Sequence, residues 1–227
     1  MIKRIGLLAV ALLGAPLVAQ AAIIEIDYSG RINYTQGSGL GYNLGDTVSG
    51  KLRVDLSKSI GNVSATPEKF SYHTPLAHDM VTGYLPANAG QPMDFVDVYN
   101  NSYSTYDGRL VDYLSVFDGT RETLANGEDS LTSQLQLSFN FNGIDWIKSY
   151  NITNVNIATQ DAFTLGSSFG AIANYLRQKN EYGQFEYTND VAYFSFDSVN
   201  ISQVSEPGSI VLLLLGALGL AARRKTA

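Results

Sequence analysis

Two histidines, His73 and His78, stand five residues apart in a stretch that ends with Asp79. Two imidazoles and a carboxylate could ligate zinc if this loop folded back on itself. The five-residue separation and the intervening Pro75 exclude pairing of the two rings on one helical turn, and they match no recognised zinc pattern. The spacing favours a solvated loop, so we expect no metal ligand here.

Paired carboxylates could support glycoside hydrolysis, in which one acid protonates the leaving group and the other attacks or activates water. The candidate pairs are Asp94 with Asp97 and Glu181 with Glu186. Nothing in the spacing places either pair in a shared cleft, so surface carboxylates are favoured. The chain has no cysteine, and neither histidine has an evident partner serine, so nucleophilic catalysis lacks its usual groups. We therefore expect no catalytic residues and no enzyme activity.

Oxygen ligands for calcium could come from acidic residues near turn-forming dipeptides. These residues are Asp107, Asp112, Asp118 and the run from Asn126 to Asp129. None of them matches the spacing of a calcium-binding loop, and Asp-Gly and Asn-Gly are also ordinary hairpin turns. We predict turns and no resident cofactor, with calcium as the ion to test first.

Four tyrosines lie in the central stretch around an Asn-Asn pair: Tyr99, Tyr103, Tyr106 and Tyr113. Exposed rings beside amides are a common way to build a sugar-binding face, because a flat apolar ring can cover the apolar face of a sugar while amides reach its hydroxyls. The alternative is that the rings pack a β-sheet core with their hydroxyls at its margin. These four tyrosines are the predicted sugar-binding residues.

Strands must position all of these residues, because apolar and polar side chains alternate along much of the chain with a period of two residues. The clearest run, Leu135–Phe141, alternates apolar with polar side chains, as do Ile24–Tyr28 and Val48–Leu56. Further strands are predicted over five segments: 81–85, 93–99, 110–117, 152–157 and 192–204.

The apolar phase of the last segment changes near Asp197-Ser198, where a β-bulge would return both halves to one core face. Only Gly170–Lys179 is predicted as a short helix. The expected fold is all-β, an antiparallel two-sheet sandwich or jelly-roll-like ectodomain.

Residues 1–21 have the three parts of a secretory signal peptide. Lys3 and Arg4 give a positive start, Ile5–Val18 is the apolar run, and Ala19 and Ala21 flank a small-x-small cleavage site. The apolar run is short for a permanent membrane span. We predict cleavage after Ala21 and an ectodomain over 22–204.

The last 23 residues, 205–227, have a second three-part order. Glu206-Pro207 is followed by thirteen apolar or glycine residues from Ile210 to Ala222, and then by the basic cluster Arg223, Arg224 and Lys225. As a helix the apolar run would rise roughly 20 Å, against about 30 Å of bilayer hydrocarbon. The basic cluster would stay on the cytoplasmic side. This pattern predicts a hydrophobic helix that holds the exported chain in the membrane for a time.

This order of motif, apolar run and basic cluster resembles the PEP-CTERM sorting signal. The resemblance implies cleavage by an exosortase, a membrane transpeptidase-like enzyme of Gram-negative bacteria that make extracellular polysaccharide. It implies the Sec export machinery and an exosortase as partners, with Glu206, Pro207, Arg223, Arg224 and Lys225 as the sorting residues. The precursor would be anchored in the inner membrane, and the product would be located in the cell envelope or outside the cell.

Removing both ends leaves ten basic residues against 21 acidic ones, a net charge of −11 compared with −6 for the whole chain. Such a charge opposes binding to nucleic acid. The expected function is therefore that of an exported, non-enzymatic surface or extracellular-matrix protein of the biofilm and exopolysaccharide. The alternatives are a carbohydrate-binding module and, further off, a secreted polysaccharide hydrolase.

Overall fold

The alternating runs of the sequence form strands in the computed structural model. The model describes residues 23–59, 69–73, 79–86, 90–103, 110–142, 144–148, 152 and 155–204. In this part of the chain eleven strands are present: β1 (Ile23–Gln36), β2 (Thr47–Asp55), β3 (Lys69–His73), β4 (Val81–Thr82), β5 (Gln91–Pro92), β6 (Phe95–Tyr103), β7 (Leu110–Thr123), β8 (Ser130–Phe139), β9 (Asn156–Thr159), β10 (Phe169–Lys179) and β11 (Phe185–Val204).

Helical structure among the described residues is limited to two short pieces. A 3₁₀ turn covers Leu56–Lys58, and a single turn of α-helix, α1, covers Ala162–Leu165. The Asp161 carboxylate caps α1 by accepting the Thr164 N–H at 2.8 Å. None of the described helices is long and apolar enough to cross a membrane. The predicted C-terminal helix and the signal peptide lie outside the described residues.

All eleven strands belong to one antiparallel sheet. Nine strands follow the order β3-β6-β7-β8-β10-β11-β1-β2-β4, while β5 adds to β7 and β9 adds to β11. The all-β antiparallel prediction is confirmed. The described strands form one curled sheet, because long strands such as β11 run through the fold and pair with β10, β1 and β9. The two-sheet sandwich or jelly-roll arrangement stays a prediction.

The core lies on the inner face of this sheet. Leu135, Leu137 and Phe139 of β8 are fully buried, as their alternation predicts. Phe139 stacks on Phe196 of β11 with 5.3 Å between ring centroids. Burial of such side chains contributes about 1.5–3 kcal/mol each, so the inner face supplies most of the driving force for folding.

A β-bulge in β11 keeps both halves of this strand on the core, as predicted. Ser29 pairs with Ser198 and Gly30 pairs with Phe196, which leaves Asp197 as the extra residue. Phe194 and Phe196 before the bulge, and Val199 after it, are all buried. The extra residue therefore corrects the phase change seen in the sequence.

The prediction of a helix over Gly170–Lys179 is wrong, because this segment is strand β10. The strand lies between β8 and β11, and Ala171, Ile172 and Ala173 are all buried. A central strand covered on both faces loses the alternation that marks a half-exposed one. Gly170 lies beneath the Phe194 ring, which occupies the space that a Cβ atom would take.

The curl of the sheet brings its β4 end against the hairpin of β6 and β7. Two aspartates make this closure: Asp94, just before β6, and Asp118 on β7. The Asp94 carboxylate accepts the N–H groups of Met80 and Val81 at 2.8 and 2.9 Å. These side-chain bonds replace the ladder of main-chain bonds that a neighbouring strand would provide.

Candidate functional site

Asp94 uses both of its carboxylate oxygens inside the fold. Its Oδ2 atom accepts the two N–H groups at the start of β4, and its Oδ1 atom accepts the Gly119 N–H at 3.1 Å. The residue is only 3% exposed. An acid held in this way links its own segment to the start of β4 and to Gly119 of β7.

Asp118 and Asp112 act in the same way, each through its Oδ2 atom. The Oδ2 atom of Asp118 accepts the N–H groups of Tyr84 and Leu85 at 3.0 and 3.3 Å. The Oδ2 atom of Asp112 accepts those of Trp146 and Ile147 at 2.7 and 2.8 Å. Each buried aspartate of β7 thus holds two consecutive N–H groups of a segment that has no strand partner at that point. The calcium and turn interpretations of these two residues both missed this role.

Burial raises the pKa of Asp118 to about 7, although the Tyr84 and Leu85 N–H groups act in the opposite direction. The nearby carboxylates of Asp94 and Asp79 raise it further. Burial also raises the pKa of Asp94. Burial, together with Tyr42 and Asp118, raises the pKa of the Tyr28 hydroxyl to about 12. A perturbed pKa accompanies many catalytic acids. Here the pKa of Asp118 is raised because its carboxylate is buried where it closes the sheet.

The two candidate acid pairs for glycoside hydrolysis are not assembled into a cleft. Asp94 lies towards the buried side, whereas Asp97 belongs to the alternate set of β6 residues, opposite the buried Val96 and Val98. Residues three apart on a strand point to opposite faces. Glu181 and Glu186 are both exposed at the β10–β11 turn, and Glu186 accepts a hydrogen bond from the Asn180 amide at 2.9 Å.

One serine motif was missed in the sequence interpretation. Residues 166–170 read Gly-Ser-Ser-Phe-Gly, which has the G-x-S-x-G spacing of a nucleophile elbow. That elbow requires a strand followed by a helix, whereas here α1 precedes the motif and β10 follows it. Ser168 is buried, and its Oγ atom accepts the Asn140 N–H at 2.9 Å. The serine therefore fixes the α1–β10 connection.

The Asn126–Asp129 segment forms a turn, as predicted. The Asn126 side chain accepts the Asp129 N–H at 3.0 Å and donates to Asp129 Oδ2 at 2.7 Å. The remaining oxygen, Oδ1, accepts the Lys179 N–H at 2.8 Å. No group of three or more candidate metal ligands occurs among the described residues. His78 and Asp107 lie outside those residues.

Two of the four predicted sugar-binding tyrosines pack against each other. Tyr99 of β6 and Tyr113 of β7 are in register, and their rings meet edge to face with centroids 5.5 Å apart. Both are half-buried, and the Tyr113 hydroxyl donates to Ser138 Oγ at 3.0 Å. Tyr103 ends β6 opposite Leu110, and Tyr106 lies outside the described residues.

A different set of aromatic side chains is exposed on the outer face of β1, β10 and β11. We call this set the aromatic face, and it consists of Tyr34, Tyr175, Phe185, Tyr187 and Tyr193. Tyr187 is 74% exposed and the others are between 39% and 50% exposed. The signal for it was available in the sequence, because residues 185, 187 and 193 have the opposite parity to the buried residues 192, 194 and 196.

A groove of about 330 Å³ lies beside the aromatic face. Its lining includes Arg121, Thr132, Gln134, Tyr175, Arg177 and Tyr187. The strand register produces this set, because Thr132 of β8 pairs with Arg121 of β7 on one side and with Tyr175 of β10 on the other. Arg177 and Tyr187 are also direct cross-strand partners.

A larger cleft of about 550 Å³ opens at the bulge of β11, between Asp27, Thr159, Ser198 and Asn200. Its one carboxylate, Asp27, forms an ion pair with Lys51 at 3.2 Å. The neighbouring Ser29 and Ser198 hydroxyls bond each other at 2.7 Å. Asp27 and Ser198 thus have partners within the fold.

The predicted processing sites adjoin one pair of strand ends. β1 begins at Ile23, β11 ends at Val204, and these two residues are register partners. The predicted leader cleavage after Ala21 is two residues before Ile23, and Pro207 is three residues after Val204.

A family model for the PEP-CTERM protein-sorting motif matches residues 203–225. The match covers Glu206-Pro207, the apolar run and the basic cluster, and it confirms the resemblance recognised in the sequence. No curated protein and no solved structure matches the chain significantly. The chain is therefore an exported protein that carries a PEP-CTERM sorting motif and is targeted to an exosortase.

Proposed function

We propose that the protein is a non-enzymatic component of the bacterial surface or extracellular matrix, cleaved by an exosortase after export. The observation that carries this proposal is the sorting motif at residues 203–225, which begins within the last two residues of β11, the final strand of the sheet. Before cleavage, the apolar run would hold the precursor in the inner membrane with the sheet on the outer side.

The non-enzymatic part of the proposal is supported by the roles of the acidic residues. Asp94, Asp112 and Asp118 are the buried acids best placed to have unusual chemistry, and each accepts two or three backbone N–H groups. Such bonds stabilise the fold at positions where a substrate would have to displace them. The same contacts argue against the polysaccharide hydrolase.

Carbohydrate binding is the second candidate function, and a specific observation favours it. The aromatic face exposes five large rings, and its groove adds an amide and two guanidinium groups. Rings for stacking and side chains for hydrogen bonding are the two components that a sugar site needs. Binding to a matrix polysaccharide would also give a surface protein a means of retention.

The proposal is tested by fractionating the native host with and without its exosortase. We expect the protein in the envelope or matrix fraction, and loss of this distribution when the enzyme is absent. The purified protein should release no new reducing ends from a panel of polysaccharides. Retention in the cytoplasm would overturn the sorting part, and polysaccharide cleavage that is lost in a single Asp or Glu variant would overturn the non-enzymatic part.

A further inference from the structure

We propose that the groove between β7, β8, β10 and β11 binds an acidic, carboxylate-bearing polysaccharide. This inference rests on the proposed surface function and adds a ligand class and a site to it. The site is the groove of about 330 Å³ with its neighbouring rings. It differs from the set predicted from the sequence, which is Tyr99, Tyr103, Tyr106 and Tyr113.

The rings of the groove are presented to solvent by the register of the β10–β11 hairpin. Tyr175 pairs with Asn189, and Arg177 pairs with Tyr187, so rings and polar groups alternate across the two strands. The exposed fractions of Tyr175 and Tyr187 are 39% and 74%. A ring that stays in water does not contribute the stabilising free energy of apolar burial. A ligand with an apolar face that covers the ring would gain this free energy on binding.

The two arginines give the groove a charge opposite to that of the protein. Without its ends the chain has a net charge of −11, yet Arg121 and Arg177 lie together at one groove. Within the described part of the chain, the ion pairs involve other residues and leave both guanidinium groups without a carboxylate partner. A guanidinium binds a carboxylate through two parallel hydrogen bonds, so an acidic sugar is the complementary ligand.

One of these arginines is held in place before any ligand binds. The Cζ atom of Arg177 lies 3.5 Å from the centroid of the Phe185 ring, a cation–π contact that restricts the side chain. Arg177 then faces the groove beside Tyr187. A side chain that is already ordered loses less entropy when it forms a hydrogen bond.

The dimensions of the aromatic face fit a polymer. Phe185 and Tyr193 are separated by eight residues along β11, which corresponds to about 27 Å at 3.4 Å per residue. Tyr193 continues the face onto β1, where its ring lies 5.8 Å from that of Tyr34.

The test uses the processed protein and a linear polyuronate, alginate, as the probe, with uncharged dextran for comparison. Binding is measured by affinity electrophoresis and calorimetry at two salt concentrations. The variants are Arg121→Gln with Arg177→Gln, and Tyr175→Ala with Tyr187→Ala. Lys148→Gln is the control for loss of a positive charge outside the groove, and Tyr182→Ala, at the exposed hairpin turn, is the aromatic control. Unchanged fluorescence of the single tryptophan, Trp146, verifies the fold of each variant.

We expect the wild type to bind alginate more tightly than dextran, with an affinity that falls as salt is raised. The arginine double variant should lose about tenfold or more in alginate affinity, and the tyrosine double variant should lose binding to both polymers. Absence of alginate binding, or equal affinity of the arginine double variant and Lys148→Gln, would overturn the proposal. Sorting in the native host is measured separately, so a sorted protein that fails to bind would refute this inference alone.

Discussion

Replacing Asp118 by asparagine should make the protein less sensitive to pH. The side chain is 4% exposed, and its pKa is raised from the ordinary value of 3.8 to about 7. Burial is the largest cause, because a charged carboxylate loses hydration inside the sheet. Asparagine removes this charge and can still accept the Tyr84 and Leu85 N–H groups, since Asp118 binds both through one oxygen.

The sign and size of the effect follow from proton linkage. The folded state holds the Asp118 proton up to a higher pH than the unfolded state does, so the free energy of unfolding falls as pH rises from about 4 to 7. A shift of roughly three units corresponds to about 4 kcal/mol at pH 8, of which about 2–3 kcal/mol develops between pH 5 and pH 8. The wild type should therefore be more stable at pH 5 than at pH 8.

Urea unfolding at pH 5, 6, 7 and 8 measures this slope, with Trp146 as the probe. Trp146 is the single tryptophan of the chain and is 6% exposed, so its emission should report loss of the core. Asp145→Asn removes the same charge from an exposed position and should keep the wild-type slope. In Asp118→Asn, the difference in unfolding free energy between pH 5 and pH 8 should be smaller than in the wild type by about 2 kcal/mol.

The same substitution at Asp94, the other aspartate that closes the sheet, should have the opposite effect on stability. It accepts N–H groups with both oxygens, so an asparagine must direct its NH₂ group at a backbone donor. Asp94→Asn should therefore be less stable by about 1–3 kcal/mol, whereas Asp118→Asn should be at least as stable as the wild type at pH 8. Equal pH slopes for Asp118→Asn and Asp145→Asn would refute the assignment of the buried charge.

Three further changes test other parts of the structure. Asp112→Ala leaves two N–H groups without their acceptor, and it should lower the unfolding free energy by about 2–5 kcal/mol in the same urea assay; no loss would show that water replaces the carboxylate. Gly170→Ala places a methyl group where the Phe194 ring lies and should cost about 1–3 kcal/mol or more; an unchanged urea midpoint would contradict the close packing. Pro207→Ala should leave full-length protein in the membrane fraction of the native host, while Thr226→Ala, beyond the matched motif, should be processed normally; equal processing of the two would argue against Pro207 as a sorting residue.

Alternation of side chains predicted the parts of the sheet that have one buried face. The inward residues of β8 and the bulge at Asp197 followed from apolar phase alone, and both are observed. The start of β11 could not be predicted from alternation, because residues 185–189 are exposed on both faces. They have no core beneath them to impose an apolar pattern. The prediction for β10 was wrong for the opposite reason, since this strand is covered on both faces near Ala171–Ala173.

The roles of the buried aspartates could not be predicted from spacing. Asp118 holds N–H groups more than 30 residues away, and only the curl of the sheet brings β4 within reach of β7. The groove on the outer face has the same origin, because its residues come from two strand pairs, β7–β8 and β10–β11, that are separated along the chain by β9 and α1. Motifs that act as linear sequence, such as the sorting signal, need no fold to be recognised and were therefore found directly.

Removal of both ends of the chain during export and sorting is the expectation on which the proposed function depends most. Intact-mass spectrometry of the protein from its native host, with and without the exosortase, tests this claim directly. We expect a product that begins at Ala22 and ends near Pro207, and that keeps its C-terminal tail when the enzyme is absent. A mature product that still ends at Ala227 in the presence of the enzyme would contradict it, because the tail would then be a permanent part of the protein.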